Sequence, residues 1–190
     1  MSLVQTVAPS VEPVTTTDQK NWMRVDGSTE DTLIGNLSAA SRAWFEMSTG
    51  RQCITATWVY KLSTFPVGDL VLPVSPLQSV TSITYVDTDG ATQTWSNSEY
   101  TVDTASDIGR VRPNYDIDYP SVRGYIGDVT VTFVAGYGDA SSDVPDGALT
   151  AIKVLASNWF ENRESNAAIK LHEVPMALQT LVWQFKDGSI

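Results

Sequence analysis

A chain of 190 residues is long enough for one domain, or one domain with an insertion, and its 42% hydrophobic content is that of a soluble globule. No apolar run reaches membrane-spanning length, the opening MSLVQTVAPSVEPV does not read as a secretion signal, and a single cysteine, Cys53, excludes an internal disulfide and a cysteine zinc cluster. Twenty-two acids against twelve bases leave a net charge of −10, which argues against coating nucleic acid by phosphate neutralisation; it would suit a wall past which DNA slides, and solubility alone explains it equally well. Together these traits point to folding in a reducing cytoplasm.

Residues 1–13 are polar, proline-punctuated and aperiodic, and are expected to form a flexible arm. A short helix follows over TTTDQKNWMRVD, with threonines available as N-caps and Trp22 and Val25 on one face. A longer helix is expected over STEDTLIGNLSAASRAWFEMSTGRQ. Ser28 is its candidate cap, Gly50 its C-terminal stop, and Ile34, Leu37, Ala40, Trp44 and Met47 its core-facing stripe. The glycosylation sequon at Asn36 falls inside this helix and is read as chance.

From Gln52 the period changes to two. Ile54, Ala56, Trp58, Tyr60 and Leu62 alternate as in a half-buried strand, on which Cys53 is expected to sit inward. Ile83 and Tyr85 then face one way, Asp87-Thr88-Asp89-Gly90 makes a hairpin turn, and Tyr100 and Val102 follow on another strand. Residues 110–113 add a short piece, 115–127 read as loop, and Val129, Val131 and Phe133 give a final strand. After Pro145 the period is helical again, with Leu149, Ile152, Leu155, Trp159 and Asn162 on one stripe. A polar loop leads to a last helix over about 174–185, where Leu178, Leu181, Val182 and Phe185 recur at helical spacing. The expected class is α+β. Segments 14–51 and 139–186 form a small helical bundle, 52–138 a β-rich insertion, and 187–190 a C-terminal tail.

None of the chemistry-bearing motifs is complete. Gly136-Tyr137-Gly138 follows a strand and precedes a helix, but it lacks the lysine and spacer of a P-loop, and acids intervene before the helix. Asp87-Thr88-Asp89-Gly90 lacks the closing glutamate of a calcium loop. Asp116 and Asp118 share one face of an extended segment, a possible cation site that two exposed aspartates equally explain. His172 has no nucleophile motif around it, and 161–164 reads as helix-end charge compensation. Most tryptophans fall on inward positions. Trp183 lies beside the core stripe of the last helix, and the short tail after it suits contact with a partner.

Five pieces in order carry a resemblance: TTTDQKNWMRVDGSTEDTLIGNLSAASRAWFEMSTGR, LPVSPLQSVTSITYVDTDGATQTW, EYTVDT, DVTVTFVAGYGD and VPDGALTAIKVLASNWFENRES. Over roughly 13–185 the chain resembles the head–tail connector proteins of tailed phages (adaptor or head-completion proteins), with their prophage and gene-transfer-agent relatives. The longer, proline-containing N-terminal arm departs from that pattern. The resemblance implies a structural, non-catalytic virion protein at the head–tail junction, made in the host cytoplasm and without a cofactor. It implies a ring of about twelve copies beneath the portal protein, chains that can wait as monomers, and a platform for a stopper or tail-completion protein. DNA would pass through the ring without sequence-specific binding, and no membrane is involved. The expected portal contacts are Trp183, Phe185, Lys186 and Ile190; the expected tail-side turn is Asp87, Asp89 and Gly90. Two other readings compete: a hydrolase using Asp116, Asp118 or Glu161, and a carbohydrate- or peptide-binding module using Tyr115, Tyr119 and Tyr125.

Overall fold

The computed structural model describes residues 1–162 and 176–186. The chain divides into two units: a β unit of Met1–Pro9 and Thr55–Tyr137, and a helical unit of Ser10–Ile54 and Gly138–Ile190. The α+β class holds, with helices on either side of a β-rich stretch in the sequence.

In the β unit, strands β1 (Ser2–Val7), β2 (Ala56–Leu62), β4 (Leu77–Val86), β5 (Thr92–Thr94) and β8 (Val129–Ala135) form one antiparallel sheet in the order β1-β2-β8-β4-β5. Strands β3 (Leu70–Val71), β7 (Arg110–Pro113) and β6 (Tyr100–Asp103) form a second, three-stranded sheet. The period of two places Val129, Val131, Phe133 and Ala135 of β8 on one buried face. Register sets Leu62, Tyr60, Trp58 and Ala56 opposite them on one side, and Tyr85, Ile83, Val80 and Leu77 on the other. Leu70, Leu72, Val111, Trp95 and Tyr100 complete this core. Phe65 stacks on Tyr119 at 4.9 Å and meets Trp95 edge-on at 5.5 Å, closing one side with aromatic area.

The N-terminal residues differ from the expected aperiodic arm, because β1 pairs antiparallel with β2 from Ser2↔Lys61 to Val7↔Thr57. All six of its residues are exposed, so no apolar alternation marks it in the sequence; backbone pairing holds it.

The helical unit is built from α1 (Thr16–Met23), α2 (Asp31–Thr49), α3 (Asp146–Glu161) and α4 (Met176–Trp183). Thr15 caps α1 by accepting from the Asp18 N–H at 3.1 Å, as a threonine cap should. Gly50 ends α2 in the left-handed region with its N–H on the Glu46 carbonyl. At the other end of α2, Glu30 occupies the cap position and Ser28 contributes its carbonyl to Asp31 N–H rather than its side chain.

Both long stripes are rotated from the expected ones. The buried residues of α2 are Ile34, Ser38, Ser41, Phe45 and Thr49, while Met47 is exposed and Trp44 only half-buried. On α3 they are Ala148, Ala151, Ile152, Leu155 and Ala156, with Leu149 and Trp159 half-buried. Small residues therefore share the two buried faces with Ile34, Phe45, Ile152 and Leu155, and α2 packs on α3. On α1 the buried residue is Gln19, and Trp22 stands 49% exposed. The Gln19 amide donates to the Lys153 carbonyl and the Ser157 hydroxyl of α3, each at 3.1 Å, which is why a polar residue takes the inward place. Cys53 is buried in this unit ahead of β2, its N–H donating to the Glu46 carboxylate at 3.0 Å.

The chain passes from the β unit to the helical unit at Gly136-Tyr137-Gly138. Gly136 has φ 141°, where a side chain is strained, and its N–H donates to the Pro76 carbonyl at 2.9 Å as β8 ends. Gly138 bridges Ile54, and the Asp143 side chain lies where a Cβ on Gly138 would sit. Asp143 in turn accepts from the Ala140 N–H at 2.9 Å, closing the 3-10 turn Ser141–Asp143 that precedes α3. Gly138→Ala is therefore expected to displace Asp143 and lower stability by about 1–3 kcal/mol without changing the fold, measured by urea unfolding followed through helical ellipticity.

Candidate functional site

At the C-terminus, Val182 is buried and the turn after α4 brings the Phe185 ring edge-on to Phe45 of α2, with centroids 5.5 Å apart. Gly147 of α3 leaves room for that ring, and the Arg51 Nε donates to the Phe185 carbonyl at 3.0 Å. Phe185 thus anchors α4 on α2 and α3. Trp183 faces outward, 65% exposed, with the Lys186 ammonium 5.9 Å from its ring centroid. Of the four C-terminal residues singled out in the sequence, the structure sets Trp183 and Lys186 at the surface and Phe185 half-buried; Ile190 lies outside the described residues, as does His172.

The turn between β4 and β5 is organised by Asp87. One carboxylate oxygen accepts from the N–H groups of Asp89 (3.0 Å) and Ala91 (2.9 Å), and the other from the Gln93 amide at 2.8 Å. These bonds, the Gln93 one foremost, hold the Asp87 carboxyl below the usual range. Its oxygens are thus engaged in shaping the turn, with Asp89 exposed beside it and Gly90 at φ 87°. The loop before β8 lies against this turn. Arg123 N–H donates to the Val86 carbonyl at 3.1 Å, its guanidinium approaches Gly90 and covers the Tyr125 ring at 4.7 Å, and it pairs with buried Asp128 at 2.9 Å. Ile126 at the loop tip is 96% exposed.

A second cluster lies on the three-stranded sheet. Asp69 bridges Arg110 and Arg112, and Arg110 also meets Asp103 at 3.5 Å, along an open groove of about 370 Å³ that Asn114 and Tyr115 help line. Asp69 and Asp103 are both held below the usual carboxyl range, Asp69 chiefly by Arg112 and Asp103 chiefly by the Ser106 hydroxyl. The alternation Arg110-Val111-Arg112 is the sequence signal for this cluster, since it puts both cations on one strand face, but nothing local announces Asp69 as their partner.

The competing readings do not assemble. Asp116, Asp118 and Glu161 are all exposed, and among the described residues no group of three acids, histidines or cysteines is placed to hold a metal. Tyr119 is packed into the aromatic core with its hydroxyl donating to the Gly68 carbonyl at 2.8 Å, so the three loop tyrosines make no common platform. Burial pushes the Cys53 thiol far up, away from nucleophilic use. No described helix is long and apolar enough to cross a membrane.

No family model matches the chain, and no curated protein matches it. Solved structures do share its fold. A chain in the virion of a native gene transfer agent particle is similar at a TM-score of 0.81 and 21% identity, over 98% of this chain and 95% of that one. Chains in the neck of the empty particle, computed with C6 symmetry, and of the native particle, computed with C12 symmetry, are similar at 0.80 and 0.71 with the same identity and coverage.

Asp69, Asp87, Asp103 and Asp128 all carry lowered folded values, Asp128 chiefly through Arg123. The stability they contribute is therefore complete above the ordinary aspartate value of about 3.9 and is lost as pH falls through it towards the folded values. Asp128→Asn is expected to lower stability at neutral pH and to flatten the decline between about pH 5 and 3, measured by urea unfolding across that range.

Proposed function

We propose that this chain is a structural component of the neck of a tailed particle: a head–tail connector that closes as a ring beneath the portal, extends the DNA channel and offers a platform to the next connector or tail protein. The observation that supports this most is the fold likeness to chains of gene transfer agent particles, which runs over 98% of this chain and 95% of theirs. A net charge of −10 suits a wall that does not grip DNA.

In this reading the portal meets α4 and the residues after it. Phe185 fixes the direction of the helix end through Phe45 and Arg51, so that Trp183 and Lys186 present an aromatic face and a cation outward; Ile190 is the fourth residue proposed for this contact. The tail side uses the end of the β unit that gathers the 87–90 turn with the Arg123–Tyr125–Ile126 loop, where apolar tips stand on a hydrogen-bonded base.

Negative-stain imaging of the chain mixed with its portal is expected to reveal rings seated under the portal; portals that stay bare would overturn the reading. In the same mixture the double variant Trp183→Ala/Lys186→Ala should bind the portal about 30-fold more weakly, corresponding to about 2 kcal/mol, with helical ellipticity unchanged. Asp89→Lys leaves the turn-forming Asp87 intact and is expected to impair attachment of the tail component while portal binding persists; normal tail attachment would remove the turn from that surface.

A further inference from the structure

Among the described residues the five-stranded sheet ends in two uncovered edges, β1 and the short β5, and only the brevity of β5 protects either. All six residues of β1 (SLVQTV) and all three of β5 (TQT) are exposed, and none is charged. Leu3, Val4 and Val7 are 38%, 54% and 57% exposed. A lone soluble chain ordinarily protects such an edge with charge, proline or cover, because its free N–H and C=O groups template pairing with another strand. The second sheet of the same unit carries charge at its edges: Asp103 lies on edge strand β6 and Asp69 immediately precedes edge strand β3, while Arg110 and Arg112 sit on the central β7. In the five-stranded sheet Lys61 is the single charged residue.

We infer that β1 of one copy pairs with β5 of the next, continuing the sheet from chain to chain. This rests on the ring proposed above. Three observations select a second copy as the occupant. Copies that each carry −10 repel one another, so contact between them is least costly where the surface is neutral, as at these two edges. A closed ring needs two different patches that meet head to tail, which the two edges of one sheet supply, whereas β1 against β1 would close as a two-fold dimer. Strand direction also agrees: four successive antiparallel pairings leave β1 and β5 running the same way, so copies related by a rotation present them as a parallel pair.

Cysteine cross-linking tests this, since the one native thiol, Cys53, is buried. Leu3→Cys, Val4→Cys and Gln5→Cys on β1 would each be combined with Thr92→Cys, Gln93→Cys and Thr94→Cys on β5, spanning the possible registers. Full-length variants mixed with portal, shown by imaging to have formed rings and then oxidised, are expected to yield a ladder of covalent multimers for at least one pair, while each single-cysteine variant stops at the dimer. Rings in which none of the nine pairs cross-links would overturn the edge pairing and leave the connector reading standing. If no ring forms on the portal, the connector reading falls and the edge pairing with it. A second variant, Val4→Lys/Gln93→Lys, guards both edges and should reduce ring formation at least ~10-fold with the ellipticity of the monomer unchanged; undiminished ring formation would also overturn the inference.

Discussion

Strand β8 is the constraint on which the β unit depends. It is paired on both sides, by β2 and β4, and its four inward residues are the floor of the core onto which Trp58, Ile83 and Tyr85 pack. Every other strand of the sheet is positioned relative to it: β1 through β2, and β5 through β4. Its end is equally fixed, because Gly136 closes onto Pro76 and accepts from the Gln78 amide at 2.8 Å before the chain turns away. Burial of alternating β-branched and aromatic residues stabilises the strand, and the glycine lets it stop at a defined point.

The helical unit relies more on polar side chains that bridge its segments. Glu46 on α2 gathers the Arg42 guanidinium at 2.6 Å, the Gln52 amide at 2.8 Å and the Cys53 N–H at 3.0 Å, tying the helix to the segment that follows it. Burial raises its carboxyl above the usual value, while Arg42 and the Cys53 N–H act in the opposite sense. Arg42 also reaches Glu12 at 2.7 Å, so the segment before α1 is drawn onto α2 by the same cation. Gln19 plays a comparable part between α1 and α3.

That difference explains what the sequence disclosed. The strands β2, β4 and β8 and the Asp87 turn were legible, because alternation and turn chemistry are local signals. The helices were legible as helices, but their buried faces were not, since Ser38, Ser41, Gln19 and the alanines of α3 look like surface residues until the packing that buries them is in place. Strand β1 was missed for a related reason: pairing of its backbone, rather than burial of its side chains, makes it a strand. Around the proposed portal face, helical periodicity placed Phe185 on the core stripe of the last helix and Trp183 beside it. Only the contacts with Phe45 and Gly147 separate the anchoring ring from the outward one.

The chain crosses between its units three times, after Pro9, Ile54 and Tyr137. The consequence concerns synthesis from N-terminus to C-terminus. When residue 137 has left the ribosome, every strand of the β unit is available, whereas α1 and α2 still lack the α3 surface that buries their inward faces. The inserted unit can therefore mature while the first half of its host waits, with Gln19, Ser38 and Ser41 still in water. Because polar Gln19, Ser38 and Ser41 interrupt Ile34 and Phe45 on that waiting face, its temporary exposure carries less risk of misassociation than an unbroken leucine stripe would.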